Sequence, residues 1–292
     1  MIKRATKSER GIALLAVLMG IALMTIIVMD FATSAAMGHL TAANVANDLR
    51  AHYLARSGVN VGVAILAQDG RNDANTDEPF DSLSDPWAMP FPPIPVDGGS
   101  ISMSIVDDAR KLCINRVINP SDGSVNKEFV ETLERLFAII DVPPEVLPSI
   151  IDWIDPDSDE SPSGAEMTYY LGMQPPYGPR NGPMPTIGDL RMVRGVDEAT
   201  FFKLRQFLTT APELRVNANT APPEVLASLL PELASNQAAV KDIIAARQLR
   251  PFAKVTDVAN LPGLAGVGTK LTSLLTTRSD YFTIAAMGNF AG

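Results

Sequence analysis

Apolar residues fill one unbroken stretch near the start of the chain, from Ile12 through Ala16 and Ile21 to Met29, with no charged residue among them. About 18 such residues approach the minimum for a helix that crosses a bilayer. Past Met29 the pattern changes without a break. No Gly-Pro pair intervenes, and Leu49, Tyr53, Ala55, Val59, Val63 and Leu66 recur near helical spacing. The pattern predicts one helix in two parts, a transmembrane part over 12–29 and an amphipathic part over 30–69 that stands in water.

From 70 to 97 the chain is expected to be a linker. Asp81-Ser-Leu-Ser-Asp-Pro-Trp87 and Pro90-Phe-Pro-Pro-Ile-Pro95 cannot sustain a helix, because each proline removes a donor and fixes φ. After Gly98-Gly99, Ile101, Met103 and Ile105 alternate with Ser100, Ser102 and Ser104, the period of a strand with one buried face. A second strand is expected near the end, over Tyr281-Phe-Thr-Ile-Ala-Ala-Met-Gly288. These segments, 98–112 and 278–292, predict a small sheet interrupted by a helical insertion over 113–277.

The insertion echoes itself. Val142-Pro-Pro-Glu-Val-Leu147 recurs as Ala221-Pro-Pro-Glu-Val-Leu226, each opening an apolar helix, and each follows an extended segment with asparagine, Leu112-Cys-Ile-Asn115 and Leu214-Arg-Val-Asn217. Thr220 is expected to cap the second helix. Further helices are expected over 126–140, 197–208, 236–247 and 270–277. Two echoes are too few for a solenoid, so the insertion is expected to form one all-α lobe.

A net charge of −9 argues against a nucleic-acid surface. Cys113, flanked by Leu112 and Ile114, is the single cysteine, so an intramolecular disulfide is excluded and a packed core residue is expected.

Lys3, Arg4, Lys7 and Arg10 precede the apolar run, and no basic residue follows it until Arg50, which places the N-terminus in the cytoplasm. Ala35-Ala36 could mark ordinary secretory cleavage, and a simple anchor would look similar. A basic leader ending in Gly11, followed by an apolar helix that runs on as an amphipathic rod, resembles the type IV pilins and pseudopilins. The resemblance implies cleavage between Gly11 and Ile12 by prepilin peptidase, removal of leader 1–11, and methylation of the new N-terminus.

Such subunits carry a glutamate at the fifth mature position; here that residue is Ala16. Its absence resembles the K-type minor pseudopilin of type II secretion systems, thought to sit at the filament tip with no subunit above it. The strings Asp97-Gly-Gly-Ser-Ile, Asp152-Trp-Ile-Asp155-Pro-Asp157, Gly164-Ala-Glu166, Asp189-Leu-Arg-Met-Val193 and Val216-Asn-Ala-Asn-Thr-Ala221 extend that resemblance along the chain. Family members usually add a strand beyond the one ending near Met287, so how the sheet closes is open. The implied fold is α+β, a pilin-like long N-terminal helix packed on a small antiparallel sheet, with a large all-α domain inserted in the sheet. The implied setting is the bacterial inner membrane, single-pass, with the bulk periplasmic. The implied partners are the I- and J-type minor pseudopilins and the major pseudopilin. The implied work is to prime pseudopilus assembly and protein export across the outer membrane.

Asp152, Asp155, Asp157, Asp159, Glu160 and Glu166 crowd one stretch whose neighbouring basic residues in sequence are Arg135 and Arg180. With Asp155 as loop position one, Asp157 and Asp159 fall at three and five and Glu166 at twelve, the ligand rhythm of a calcium loop. Glu160 stands where such loops place glycine, and no leaving helix is evident, so an irregular calcium site is expected, structural rather than catalytic. Family resemblance also implies calcium in this lobe.

Leu261-Pro-Gly-Leu-Ala-Gly-Val-Gly268 is similar to a DNA-binding hairpin, but the acidic surroundings favour a plain helix-connecting turn. His39 and His52 lie on the rod without a serine–carboxylate arrangement, so no enzyme activity is expected. The alternatives are a minor pilin of a type IV pilus carrying an adhesin or DNA-binding lobe, and an anchored metal-dependent hydrolase.

Overall fold

The computed structural model describes residues 7–290, with side chains from Gly11 onward. Lys3 and Arg4 of the expected leader lie outside the described residues, as do the side chains of Lys7 and Arg10. The first element, α1 (Lys7–Asp73), is a continuous helix of 67 residues. At 1.5 Å per residue it is about 100 Å long. Its candidate membrane span is 0% buried, and the large apolar side chains from Ile12 to Phe31 are 54–73% exposed. Such a surface is stable among lipid tails or other helices, not in water. The two-part helix read from the pattern is one element, which outruns its expected end at 69 by about a turn.

The chain divides into two compact units. Among the described residues the first comprises 7–60, 92–103 and 286–290. In it β1 (Ile94–Val96) pairs antiparallel with β2 (Gly99–Asp107), Ile94 opposite Ile101. The last strand, β7 (Phe282–Phe290), completes a three-stranded sheet in the order β1-β2-β7. The linker expected over 70–97 therefore contains a strand. Pro95 is tolerated there because β1 is an edge, and Gly98, at φ +74°, makes the tight reversal into β2. Helix meets sheet at Gly288. A Cβ there would overlap the Ala51 carbonyl oxygen and come 2.7 Å from the Ala55 nitrogen, so the backbones of α1 and β7 touch directly.

The second unit comprises residues 61–91 and 104–285. Its elements are β3 (Leu112–Cys113), α2 (Lys127–Ile139), α3 (Val146–Ile154), α4 (Met167–Leu171), α5 (Glu198–Leu204), β4 (Leu208–Thr209), β5 (Val216–Asn217), α6 (Pro223–Ser228), α7 (Pro231–Ser235), α8 (Gln237–Leu249), α9 (Val255–Ala259), α10 (Gly268–Leu274) and β6 (Leu275–Thr276). Asparagine or aspartate side chains start three of the helices: Asn126, Asp197 and Asn236 accept from the N–H groups of Phe129, Thr200 and Ala239. Leu133, Leu136, Ile150, Leu204, Val225 and Ile243 form a fully buried core. Cys113 is buried in the same unit, and desolvation raises its thiol pKa, as expected of a core residue. The 261–268 stretch joins α9 to α10.

The lobe is not purely helical. β3 pairs with β4 and β5 with β6, each parallel and two residues long. These pairs make Asn219, not the Asn217 of the sequence echo, the counterpart of Asn115. After β3, Asn115 receives the Met184 N–H at 2.7 Å and donates to the Met184 carbonyl at 3.0 Å. After β5, Asn219 does the same to Phe252, at 2.8 and 3.0 Å. Each asparagine amide completes a two-point clamp that substitutes for the missing continuation of a ladder. Thr220 does not cap α6. Pro222 holds the cap position without a side-chain bond, and the Thr220 hydroxyl donates to the buried Asp107 carboxylate.

Candidate metal centre

The acidic loop hangs between two helices. α3 is held by Val146, Leu147, Ile150 and Trp153, all buried, and ends at Asp155, whose backbone turns extended while its N–H still donates to the Ile151 carbonyl. Glu166, also extended, immediately precedes α4. A leaving helix is thus present, a short one that periodicity could not reveal in five residues; the fully buried Tyr170 anchors it against Trp153, with ring centroids 5.1 Å apart.

The loop brings one carboxylate oxygen each of Asp155, Asp157 and Glu166 within 4.8 Å of one another. Asp155 and Glu166 are buried and Asp157 is exposed. Asp159 lies outside this group; its N–H donates to the Asp157 carboxylate at 2.9 Å. Asp152, one helical turn before the loop, has no exposed surface. It accepts the Ser161 N–H at 3.1 Å, which closes the loop over α3. Gly164 lies so close that a Cβ would overlap the Asp152 carboxylate. Replacing Gly164 with alanine is expected to push Asp152 and the loop apart and destabilise the fold by about 1–3 kcal/mol, read by thermal melting.

Charge is left unbalanced. At an effective dielectric near 20, carboxylates about 5 Å apart repel by roughly 3 kcal/mol per pair. Burial, then repulsion from Asp157, Asp152 and Glu166, pushes the Asp155 pKa up to about 7. Burial raises Glu166 as well. The structure supplies one counter-ion absent from the local sequence: Arg194 comes within 4.0 Å of Glu160 and donates to the Gly164 carbonyl at 2.7 Å. Among the described residues no basic side chain pairs with Asp155, Asp157 or Glu166.

Buried oxygens without a donor collect at the same place: one of Asp152, one of Asp155, both of Glu166, and the amide oxygen of Asn181. Asn181 is the residue that spacing missed. It stands outside the loop, at φ +48°, with its N–H on the Trp153 carbonyl at 3.1 Å and its amide nitrogen on the Asp157 carbonyl. Only folding brings it there. Oxygen-only donors, more carboxylates than cations, and lone pairs left free in a buried setting suit a hard divalent cation.

The expected processing and assembly positions, Gly11, Ile12 and Ala16, lie exposed on α1. A Cβ on Gly11 would meet nothing within 4 Å.

Two family models, both described as type II secretion system (T2SS), protein K, match residues 111–213 and 216–278. The chain is 29% identical to type II secretion system protein K of Pseudomonas aeruginosa over 259 residues, 86% of this chain and 76% of the relative. It is 26% identical to the Klebsiella pneumoniae protein of the same name, over 88% of this chain and 80% of the relative. Its fold is similar to a chain in the crystal structure of the GspK-GspI-GspJ complex from the type 2 secretion system of enterotoxigenic Escherichia coli, with a TM-score of 0.68, 22% identity, and coverage of 83% and 86%. With these matches, and with a long apolar helix, a small sheet and a helical lobe, the chain belongs to the type II secretion system protein K family, the K-type minor pseudopilins.

Proposed function

We propose that this chain is the tip subunit of the type II secretion pseudopilus and primes its assembly for protein export across the outer membrane. The observation that carries this is the exposed apolar helix with alanine at position 16. A carboxylate in lipid is expensive without a partner, so a subunit that offers one needs an amine above it. Ala16 makes no such demand. The N-terminus would be cytoplasmic, trimmed by prepilin peptidase between Gly11 and Ile12 and then methylated, with the lobe in the periplasm. The partners would be the I- and J-type minor pseudopilins and the major pseudopilin, and the relative in the crystal complex with GspI and GspJ supports that choice. The role is structural, with no reaction catalysed.

In the same reading Asp155, Asp157 and Glu166, with Asn181 and the backbone beside them, hold a structural calcium ion that replaces the repulsion of the loop with attraction. Asp159 then positions Asp157 through its N–H rather than acting as a ligand.

N-terminal sequencing of the protein from membranes is expected to begin at Ile12. A start beyond Ala36 would sink the pilin-like route. Replacing Ala16 with glutamate is expected to move labelled subunits from the tip into the shaft, or to reduce initiation at least tenfold. Unchanged initiation and tip labelling would reject the apical role.

A further inference from the structure

Three more carboxylates converge away from the acidic loop. Asp69 lies in the last turns of α1, and Asp81 and Asp85 lie on the segment that follows it, all in the second unit. One oxygen of each falls within 4.8 Å of the others. Asp81 is buried and accepts the Ser279 N–H at 2.8 Å. Asp85 accepts the Ser82 N–H at 2.7 Å and its hydroxyl at 3.2 Å. These bonds hold the carboxylates in place without neutralising them. No lysine or arginine pairs with any of the three among the described residues, and Asp73 adds a fourth negative charge. The C-terminal end of α1 adds the negative pole of the helix dipole. Burial, reinforced by these neighbours, pushes Asp69 up to about 6 and Asp81 up to about 7.

An independent observation comes from Trp87. Its indole is 1% exposed and locked edge-on against Phe282, with ring centroids 4.9 Å apart. The Nε1–H is buried without a partner at bonding distance, yet near enough to the carboxylates of Asp69 and Asp85 to favour their charged forms. Metal-ligating carboxylates are commonly oriented by a donor behind them, which fixes one oxygen and leaves the other for the ion. The indole N–H is the donor available for that role.

We propose that Asp69, Asp81 and Asp85 bind a second calcium ion, with Trp87 as the residue that positions the ligands. Calcium accepts irregular sets of six to eight oxygens, including water, whereas magnesium demands near-octahedral geometry. Carboxylates drawn from a helix end and a loop suit the former, and the half-exposed Asp69 and Asp85 leave room for water. The ion would fasten the end of α1 to the 81–85 segment. That segment is already joined to the lobe core, since Asn217 donates to the Asp81 carbonyl at 3.1 Å. The proposal does not depend on the loop site.

The test is calcium content of the full-length chain in detergent after equilibrium dialysis, measured by elemental analysis. The parent is expected to hold two equivalents, and the Asp69→Asn/Asp85→Asn and Asp157→Ala/Glu166→Ala variants one each. Terbium emission excited through tryptophan gives a second readout. The emission left in the Asp157→Ala/Glu166→Ala variant is expected to vanish on adding Trp87→Phe. Parent stoichiometry in the Asp69→Asn/Asp85→Asn variant overturns the proposal, as does residual emission that survives Trp87→Phe. One equivalent in the parent, lost only from the Asp157→Ala/Glu166→Ala variant, also overturns it and leaves the loop site standing. One equivalent lost only from the Asp69→Asn/Asp85→Asn variant supports it and rejects the loop site.

Discussion

Chelation of calcium is expected to lower the melting temperature of the full-length chain by about 5–10 °C. A ligand present at a hundred times its Kd and bound only by the folded state adds about 2.7 kcal/mol. In a domain of this size each kcal/mol moves Tm by roughly 2–4 °C. The stabilisation would arise because Asp155, Asp157 and Glu166 repel one another unless a cation intervenes, while burial keeps water from screening the first and last of them. The Asp157→Ala/Glu166→Ala variant should lose the part of this shift that belongs to the loop. It should also melt higher than the chelated parent, because two of the repelling charges are gone. Asn181→Ala should weaken calcium binding without abolishing it, since it removes a neutral oxygen and leaves the carboxylates. A double variant that responds to calcium like the parent would reject the loop as a metal centre.

Replacing Asn217 with alanine is expected to cost about 3 kcal/mol and to lower Tm by roughly 6–12 °C, measured with calcium saturating. The Asn217 amide nitrogen donates to Ser279 Oγ at 2.8 Å, to the Asp81 carbonyl at 3.1 Å and to the Asp107 carboxylate at 3.4 Å. Its oxygen accepts the Asn219 N–H at 2.9 Å, which sets the neighbouring clamp on Phe252. Asp107 is itself buried, and desolvation raises its pKa against the bonds from Thr220 and Ala109 that favour its charge. Loss of the Asn217 amide therefore strands several buried polar groups at once, each worth about 1–3 kcal/mol when unmet. Asn217→Asp, which keeps the shape but adds a negative charge beside Asp107, should be no milder. A change below about 1 kcal/mol in both variants would show that water replaces these bonds freely.

Much of the architecture was legible because it depends on local pattern. The run from Ile12 to Met29 has helical character whatever surrounds it, and alternation over 101–105 marks a strand with one buried face. The expected helix over 126–140 is observed as Lys127–Ile139, with Asn126 as its cap. The strand expected from Tyr281 runs from Phe282 to Phe290. What escaped were features too short for a period to show. β3 to β6 are two residues each, and α4 has five. The β1 edge strand was masked by prolines that usually end regular structure, although an edge position excuses one.

By itself the amino-acid order determined a membrane-length helix without a carboxylate, a helical lobe split from a small sheet, and an acidic loop with carboxylates at alternating positions. Each is a property of neighbours along the chain: hydropathy, period and charge density act over a few residues. Tertiary structure alone decided which oxygens converge. It left Asp159 outside the loop cluster, delivered Asn181 from 24 residues beyond Asp157, brought Arg194 to Glu160, and gathered Asp69, Asp81 and Asp85. Those meetings depend on how the core closes, because packing, not sequence separation, sets the distance between side chains that no local repeat connects.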